Sequence, residues 1–136
     1  MEFLLKNKKL FAILFWFWVA LIIYFTLTPN SPQLKIDVKE KSFRLDYIIH
    51  FLVYLSLAIL YFFWKADNYL NINTKHLILF LATALIFSGL SEYAQAYIPG
   101  RTFNPIDFYS NAAGVILGII GPILVLKYKP NSKSLL

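Results

Sequence analysis

Residues 10–28 read LFAILFWFWVALIIYFTLT, without one charged side chain. A helix rises about 1.5 Å per residue, so about 20 apolar residues cross a hydrocarbon core about 30 Å thick. This run is long enough to span a bilayer. Lys6, Lys8 and Lys9 precede it as they would precede a secretory signal. The run, however, exceeds a signal's apolar core of about 7–15 residues, and Thr28-Pro29 stands where small cleavage-site residues would be. It reads as an uncleaved anchor.

Three further stretches meet the same criterion. Residues 47–64 (YIIHFLVYLSLAILYFFW) are interrupted only by His50. Residues 77–98 carry Glu92 and Gln95 near their end, and residues 108–126 carry Asn111 near their start and Pro122 as an expected kink. The whole chain agrees: of 136 residues 59% are apolar and 15% charged, against about 45–50% and about 25% in soluble domains. The expected fold is all-α, a compact bundle of four transmembrane helices forming a single domain over residues 1–136. Aromatic residues, 18% of the chain, suit membrane-interface belts, where Tyr47 and Tyr54 are expected as belt or packing residues. With no cysteine, disulfides, thiolate chemistry and cysteine-based zinc sites are excluded.

The net charge of +6 points to topology and anionic lipid heads rather than to nucleic acid. With four spans, eight lysines, including Lys65, Lys75, Lys127, Lys129 and Lys133, share one side with both tails. Lys35, Lys39, Lys41, Arg44 and Arg101 fall on the other. The excess places both termini in the cytoplasm of a multi-pass cell-membrane protein. In the connector 29–46, the alternation from Leu34 to Lys39 suits a strand-like or interfacial segment. The preferred reading is a solvated connector whose apolar residues rest on lipid heads.

Ionisable groups within spans are costly and face a bundle interior or a watery cavity. Here they share helix faces. Asp46, His50 and Tyr54 recur every four residues; Ser88, Glu92 and Gln95 follow a four-then-three step; Asp107, Asn111, Gly114, Gly118 and Gly121 alternate four and three. The second segment starts, the third ends and the fourth starts on one side of the membrane. Asp46, His50, Glu92, Gln95, Arg101, Asp107 and Asn111 therefore lie at one depth, near the outer interface. Simpler roles exist for several. Asp46 suits a helix N-terminus, and Asn104-Pro105-Ile106-Asp107 reads as a helix start with Asn104 as its cap. Arg101 beside Pro99-Gly100 suits a surface turn. Gly114-x-x-x-Gly118 is a small-residue pattern for close helix packing.

These residues resemble the VanZ-like family of small bacterial integral membrane proteins. The elements that match are Asp46-x-x-x-His50-Phe51-x-x-Tyr54, Glu92-x-x-Gln95, Pro99-Gly100-Arg101 and Asp107-x-x-x-Asn111-x-x-Gly114-x-x-x-Gly118, in order across residues 44–121. The sequence departs from the family pattern at Tyr47, where Lys commonly follows the Asp; Arg44 lies close by in the chain. The family takes its name from a protein associated with low-level resistance to the glycopeptide teicoplanin. The resemblance implies a protein of the cell envelope and supplies no reaction.

Three functions fit. In the first, an amphiphilic, anionic ligand binds at the outer leaflet, such as a lipid-linked cell-wall intermediate or a glycopeptide. Arg101 is its main anion contact, with Asp46, Gln95, Asp107 and Asn111 around its polar groups. In the second, a membrane-embedded enzyme acts on a lipid phosphate with His50 and Glu92 as acid and base. In the third, the polar residues only lock helix packing. A divalent cation on Asp46, Glu92 and Asp107 is a weak alternative, because these carboxylates come from separate helices; no metal or cofactor is assigned. Membrane lipids are the expected partners, and no nucleic acid is.

Overall fold

The computed structural model describes residues 6–29, 35–38, 41–67 and 71–127. Helix α1 spans Lys8–Leu27, α2 Asp46–Lys65, α3 Thr74–Gln95 and α4 Pro105–Lys127. Each contains a window of mean hydropathy of at least 1.8, and each is long enough to cross a bilayer. Ile13, Trp16, Phe17, Ile78, Ile86, Tyr109 and Leu124 are exposed, an arrangement that lipid tolerates and water does not. The chain is a helical, multi-pass membrane protein. Within its connector the strand-like alternative is the one the described backbone adopts. Lys35–Val38 (β1) and Lys41–Arg44 (β2) pair antiparallel, Ile36 opposite Phe43. The alternation of residues 34–39 matches the period of a strand, and the chain uses it as one. Lys39, Lys129 and Lys133 lie outside the described residues, as does the side chain of Arg44.

Local chemistry sets the helix ends. The side chain of Asn73 caps α3, its carbonyl accepting from the Lys75 backbone N–H at 2.9 Å. The third helix therefore begins before the apolar run that marks it in the sequence. It also stops at Gln95 rather than at residue 98. Ile98 precedes Pro99, which disfavours helical backbone, and Gly100 turns the chain at φ 79°, a left-handed value that glycine tolerates. Asn104 then accepts from Ile106 N–H at 3.1 Å, with Pro105 as the first residue of α4. Pro122 lies inside that helix, which continues to Lys127.

Helices α2 and α4 form the closest pair. A Cβ added to Gly114 would run into the Phe51 carbonyl oxygen, and one added to Gly118 would lie 2.6 Å from Ala58 Cβ and from Leu55 O. Only hydrogen at these positions lets the backbones meet. Ala58, Phe62 and Val115 are fully buried along the same seam. Away from it, aromatic residues fill one end of the bundle. Tyr61 stacks on Phe80 at 3.9 Å, Phe15 packs against Tyr61, Trp64 and Phe80, and the Tyr61 hydroxyl donates to the His76 carbonyl at 2.8 Å. Trp18 of α1 donates its indole N–H to the Val53 carbonyl at 2.9 Å.

This packing distinguishes the glycines. Gly118→Ala forces backbone apart and is expected to cost about 1–3 kcal/mol. Gly121→Ala meets nothing within 4 Å and is expected to be neutral or to gain up to about 1 kcal/mol from helix propensity. Melting of the purified variants in detergent reads both effects. Equal melting temperatures for the two would show that the α2–α4 seam is not tight.

Candidate ligand-binding site

The polar residues gather where α2 begins, α3 ends and α4 begins. Each helix contributes one stripe: Asp46, His50 and Tyr54 from α2; Ser88, Ser91, Glu92 and Gln95 from α3; Asp107 and Asn111 from α4. Glu92, Ser88 and Asn111 have no accessible surface. In an apolar bundle such groups persist only when hydrogen-bonded.

Asn111 organises them. Its Nδ2 donates to Ser88 Oγ at 2.9 Å and to Glu92 Oε1 at 3.3 Å. These two acceptors fix which end of the amide is which, so its Oδ1 faces His50 Nδ1, 3.1 Å away, as an acceptor. His50 Nδ1 must then carry the hydrogen. The same nitrogen lies 3.4 Å from Glu92 Oε1, so a carboxylate and an amide hold one edge of the ring. The other nitrogen, Nε2, makes no hydrogen bond among the described residues and lies 3.9 Å from Asp107 Oδ2. Below this layer Ser91 Oγ donates to the Ser88 carbonyl at 2.8 Å. That commits the Ser91 hydrogen, so Tyr54 is the donor in its 3.2 Å bond with Ser91. Of the two roles expected for Tyr54, belt or packing, its burial fits the second, as a member of this network.

A cavity of about 510 Å³ opens above His50. Its polar lining is Asp46, His50, Tyr54, Ser91, Glu92, Gln95, Arg101, Thr102 and Asp107; its apolar lining comes from Trp18, Leu21, Ile22 and Phe25 of α1, with Thr26 beside them, and from Ile49 and Val53 of α2. Drug-sized ligands occupy cavities of about 300–1,000 Å³. Gln95 is 5% exposed, and its side-chain amide makes no hydrogen bond among the described residues. Arg101 donates from Nη2 to the Phe25 carbonyl at 2.8 Å, drawing the α3–α4 turn onto the end of α1. Its Nε–H is buried without a partner among the described residues. Asp107 lies in the first turn of α4, where it also suits the helix dipole.

Six of the seven residues singled out in the sequence therefore line one cavity. The seventh, Asn111, is not among the lining residues of this cavity and contacts the His50 ring. Gly114 and Gly118 lie on the α2–α4 seam. Among the described residues no three His, Asp or Glu side chains stand in a metal-holding arrangement. What the sequence reading lacked was the α1 wall. Trp18, Leu21, Ile22 and Phe25 step by three, one and three residues down one helix face. In a helix that is apolar all round, that face has no polar contrast to mark it.

No protein-family model and no solved structure matches the chain. It is similar to the uncharacterized protein C11E3.10 of Schizosaccharomyces pombe, with 29% identity over 122 residues, covering 89% of this chain and 67% of that protein.

The network makes a prediction for the His50 ring. Nitrogen NMR of histidine-labelled protein, with His76→Gln used to assign the two signals, is expected to find the hydrogen of neutral His50 on Nδ1. A hydrogen on Nε2 would contradict the amide orientation given to Asn111.

Proposed function

We propose that this is a VanZ-like envelope protein that binds an amphiphile, taking its anionic head group into the cavity beside His50 while its apolar part lies along α1. The carrying observation is the cavity's mixed lining: charged and polar groups from α2, α3, α4 and the α3–α4 turn share it with apolar side chains, most of them from α1. The motif order across residues 44–121 supports the family reading. Arg101 is the anion contact, its buried Nε–H being a donor available to a phosphate or carboxylate. Asp46, Gln95 and Asp107 take the hydroxyl or amide groups of the head, and Asn111 acts through His50. A lipid-linked cell-wall intermediate and a glycopeptide such as teicoplanin share this chemistry. The name of the yeast relative carries no ligand. Both termini are assigned to the cytoplasm of the cell membrane on the lysine excess, which puts the cavity at the outer leaflet.

A second reading, catalysis on a lipid phosphate, is favoured by one observation: His50 Nδ1 is held by Asn111 and Glu92 while Nε2 is left toward the cavity. On that reading Nε2 takes the proton of an attacking water, and the carboxylate stabilises the resulting imidazolium.

Farnesyl phosphate titrated into purified protein in detergent tests the binding. Arg101→Gln removes a charged hydrogen-bond donor and is expected to weaken it by roughly ten- to a hundredfold, leaving the weak partition of farnesol unchanged. Equal affinities for phosphate and alcohol would sink the reading. Release of inorganic phosphate, abolished by Glu92→Gln, would move the assignment to the enzyme. For orientation, Phe103→Cys in this cysteine-free chain is expected to react with an impermeant maleimide from outside the cell; labelling only after lysis would invert the topology.

A further inference from the structure

The amphiphile reading places a head group beside His50 and leaves open where a long apolar tail goes. We infer that the cavity is closed at its base and open sideways, so that the tail leaves between Phe25 of α1 and Ile49 of α2 into the surrounding lipid. The ligand class this selects is a long-chain lipid anion already resident in the membrane and drawn in from the leaflet. The inference rests on the amphiphile-binding reading and specifies the ligand's tail.

The base of the cavity is built from bonds between helices at one level. Trp18 of α1 donates to the Val53 carbonyl of α2 at 2.9 Å, and the next residue, Tyr54, bonds to Ser91 of α3 at 3.2 Å. All four residues line the cavity. One turn deeper, Phe15, Leu57 and Ser88 of the same three helices are buried, and beyond them lie the stacked rings of Tyr61 and Phe80. A tail that continued downward would have to break both bonds and unpack the rings. The room above this floor is short. Trp18 precedes Phe25 by seven residues, about 10 Å along α1. Arg101 is bonded to the Phe25 carbonyl, so a chain whose anion meets Arg101 has about that distance to run. An extended chain advances about 1.2 Å per bond, and about eight carbons fill it. The sides of the cavity differ. Toward α3, Gln95 is 5% exposed, and the Arg101 bond ties the α3–α4 turn to α1. On α1 and α2, two apolar lining residues are open to the exterior, Phe25 by 60% and Ile49 by 42%. Both lie above the Trp18–Val53 bond. An apolar side chain that borders the cavity and the exterior at once marks a passage between them. In a bilayer that exterior solvates an alkyl tail and not a charged head.

Octyl, dodecyl and hexadecyl phosphate test the passage. Each is titrated into the whole protein in detergent, and its partition into protein-free micelles is divided out. With a sideways exit the added carbons stay in detergent throughout, so the three are expected to show equal preference for the protein. A chamber closed on all sides would instead lose about fourfold in preference for each carbon beyond about eight, the worth of one methylene withheld from an apolar phase. That result overturns the exit and leaves the binding reading standing. Ile49→Trp, at an exposed position, narrows the passage and is expected to weaken the two longer phosphates roughly tenfold, with octyl phosphate unchanged. Ile48→Trp, at an exposed residue that does not line this cavity, is expected to leave all three unchanged. In an Ile49→Trp protein that melts like the unaltered one, equal loss for all three phosphates, or no loss, also overturns the exit. The series on unaltered protein needs no variant to fold. If no phosphate binds better than its matching alcohol, the amphiphile reading falls as well.

Discussion

The structure depends on how closely α2 and α4 approach. At Gly114 the α4 backbone rests on the Phe51 carbonyl, and His50 is the residue before Phe51. Asn111 precedes Gly114 by three residues and Asp107 precedes it by seven, so all three share one face of α4. The glycine contact thus fixes both the separation and the register that bring Asn111 Oδ1 to 3.1 Å from His50 Nδ1. A hydrogen bond of this kind weakens steeply with distance. A side chain on the seam would push the helices apart by enough to lose it. Packing and site are the same constraint seen at neighbouring turns.

The bundle divides its two ends by chemistry. At one end Phe15, Tyr61, Trp64 and Phe80 close the interior with rings, and the Tyr61 hydroxyl is satisfied by the His76 carbonyl. At the other end the interior is polar and must supply its own partners, since each unmet buried group costs several kcal/mol in hydrocarbon. The supply runs in one direction. Ser91 commits its hydrogen to the Ser88 carbonyl, Tyr54 gives its own to Ser91, Asn111 gives to Ser88 and Glu92, and His50 gives to Asn111. Each step leaves the next with one orientation. The chain of bonds ends at His50 Nε2, on the cavity.

Much of this was legible in the sequence because lipid imposes a simple rule on composition. Four apolar runs gave four helices, and the scarcity of charge made Asp46, His50, Glu92, Arg101 and Asp107 conspicuous. The four-and-three spacing placed them on shared faces without any knowledge of the packing. What was not legible involved residues whose role depends on a neighbour in space. Asn111 reads as one more polar residue of the stripe, and only the partners of its amide show that it joins His50, Ser88 and Glu92. Tyr54 has the composition of an interface-belt residue, and its place in the network follows from Ser91 on another helix. The end of α3 at Gln95 was hidden because the apolar run continues through Tyr97 and Ile98, while Pro99 and Gly100 act on the backbone alone. The hairpin at Lys35–Val38 and Lys41–Arg44 was hinted at by alternation, but pairing is a property of two strands and no single one declares it.

The two sides of the cavity are held by different kinds of force, and this separates what can vary from what cannot. The polar side stands on α2, α3 and α4, joined by backbone contact at the glycines and by the hydrogen bonds around Asn111. The apolar side stands largely on α1, joined to the rest, among the described residues, by ring packing at Phe11, Phe15 and Trp16 and by the side-chain-to-carbonyl bonds of Trp18 to Val53 and Arg101 to Phe25. Ring packing tolerates changes of shape at modest cost, whereas a directional network of buried bonds does not. Substitutions on the inward face of α1 therefore reshape the space for an apolar chain and leave the His50 ring where it is. Substitutions at Gly114, Asn111 or Glu92 act on the ring itself. Arg101 belongs to both sides, since one guanidinium nitrogen anchors α1 while another faces the buried interior. A ligand anion that engages Arg101 would therefore act at the bond that holds the apolar wall to the polar one.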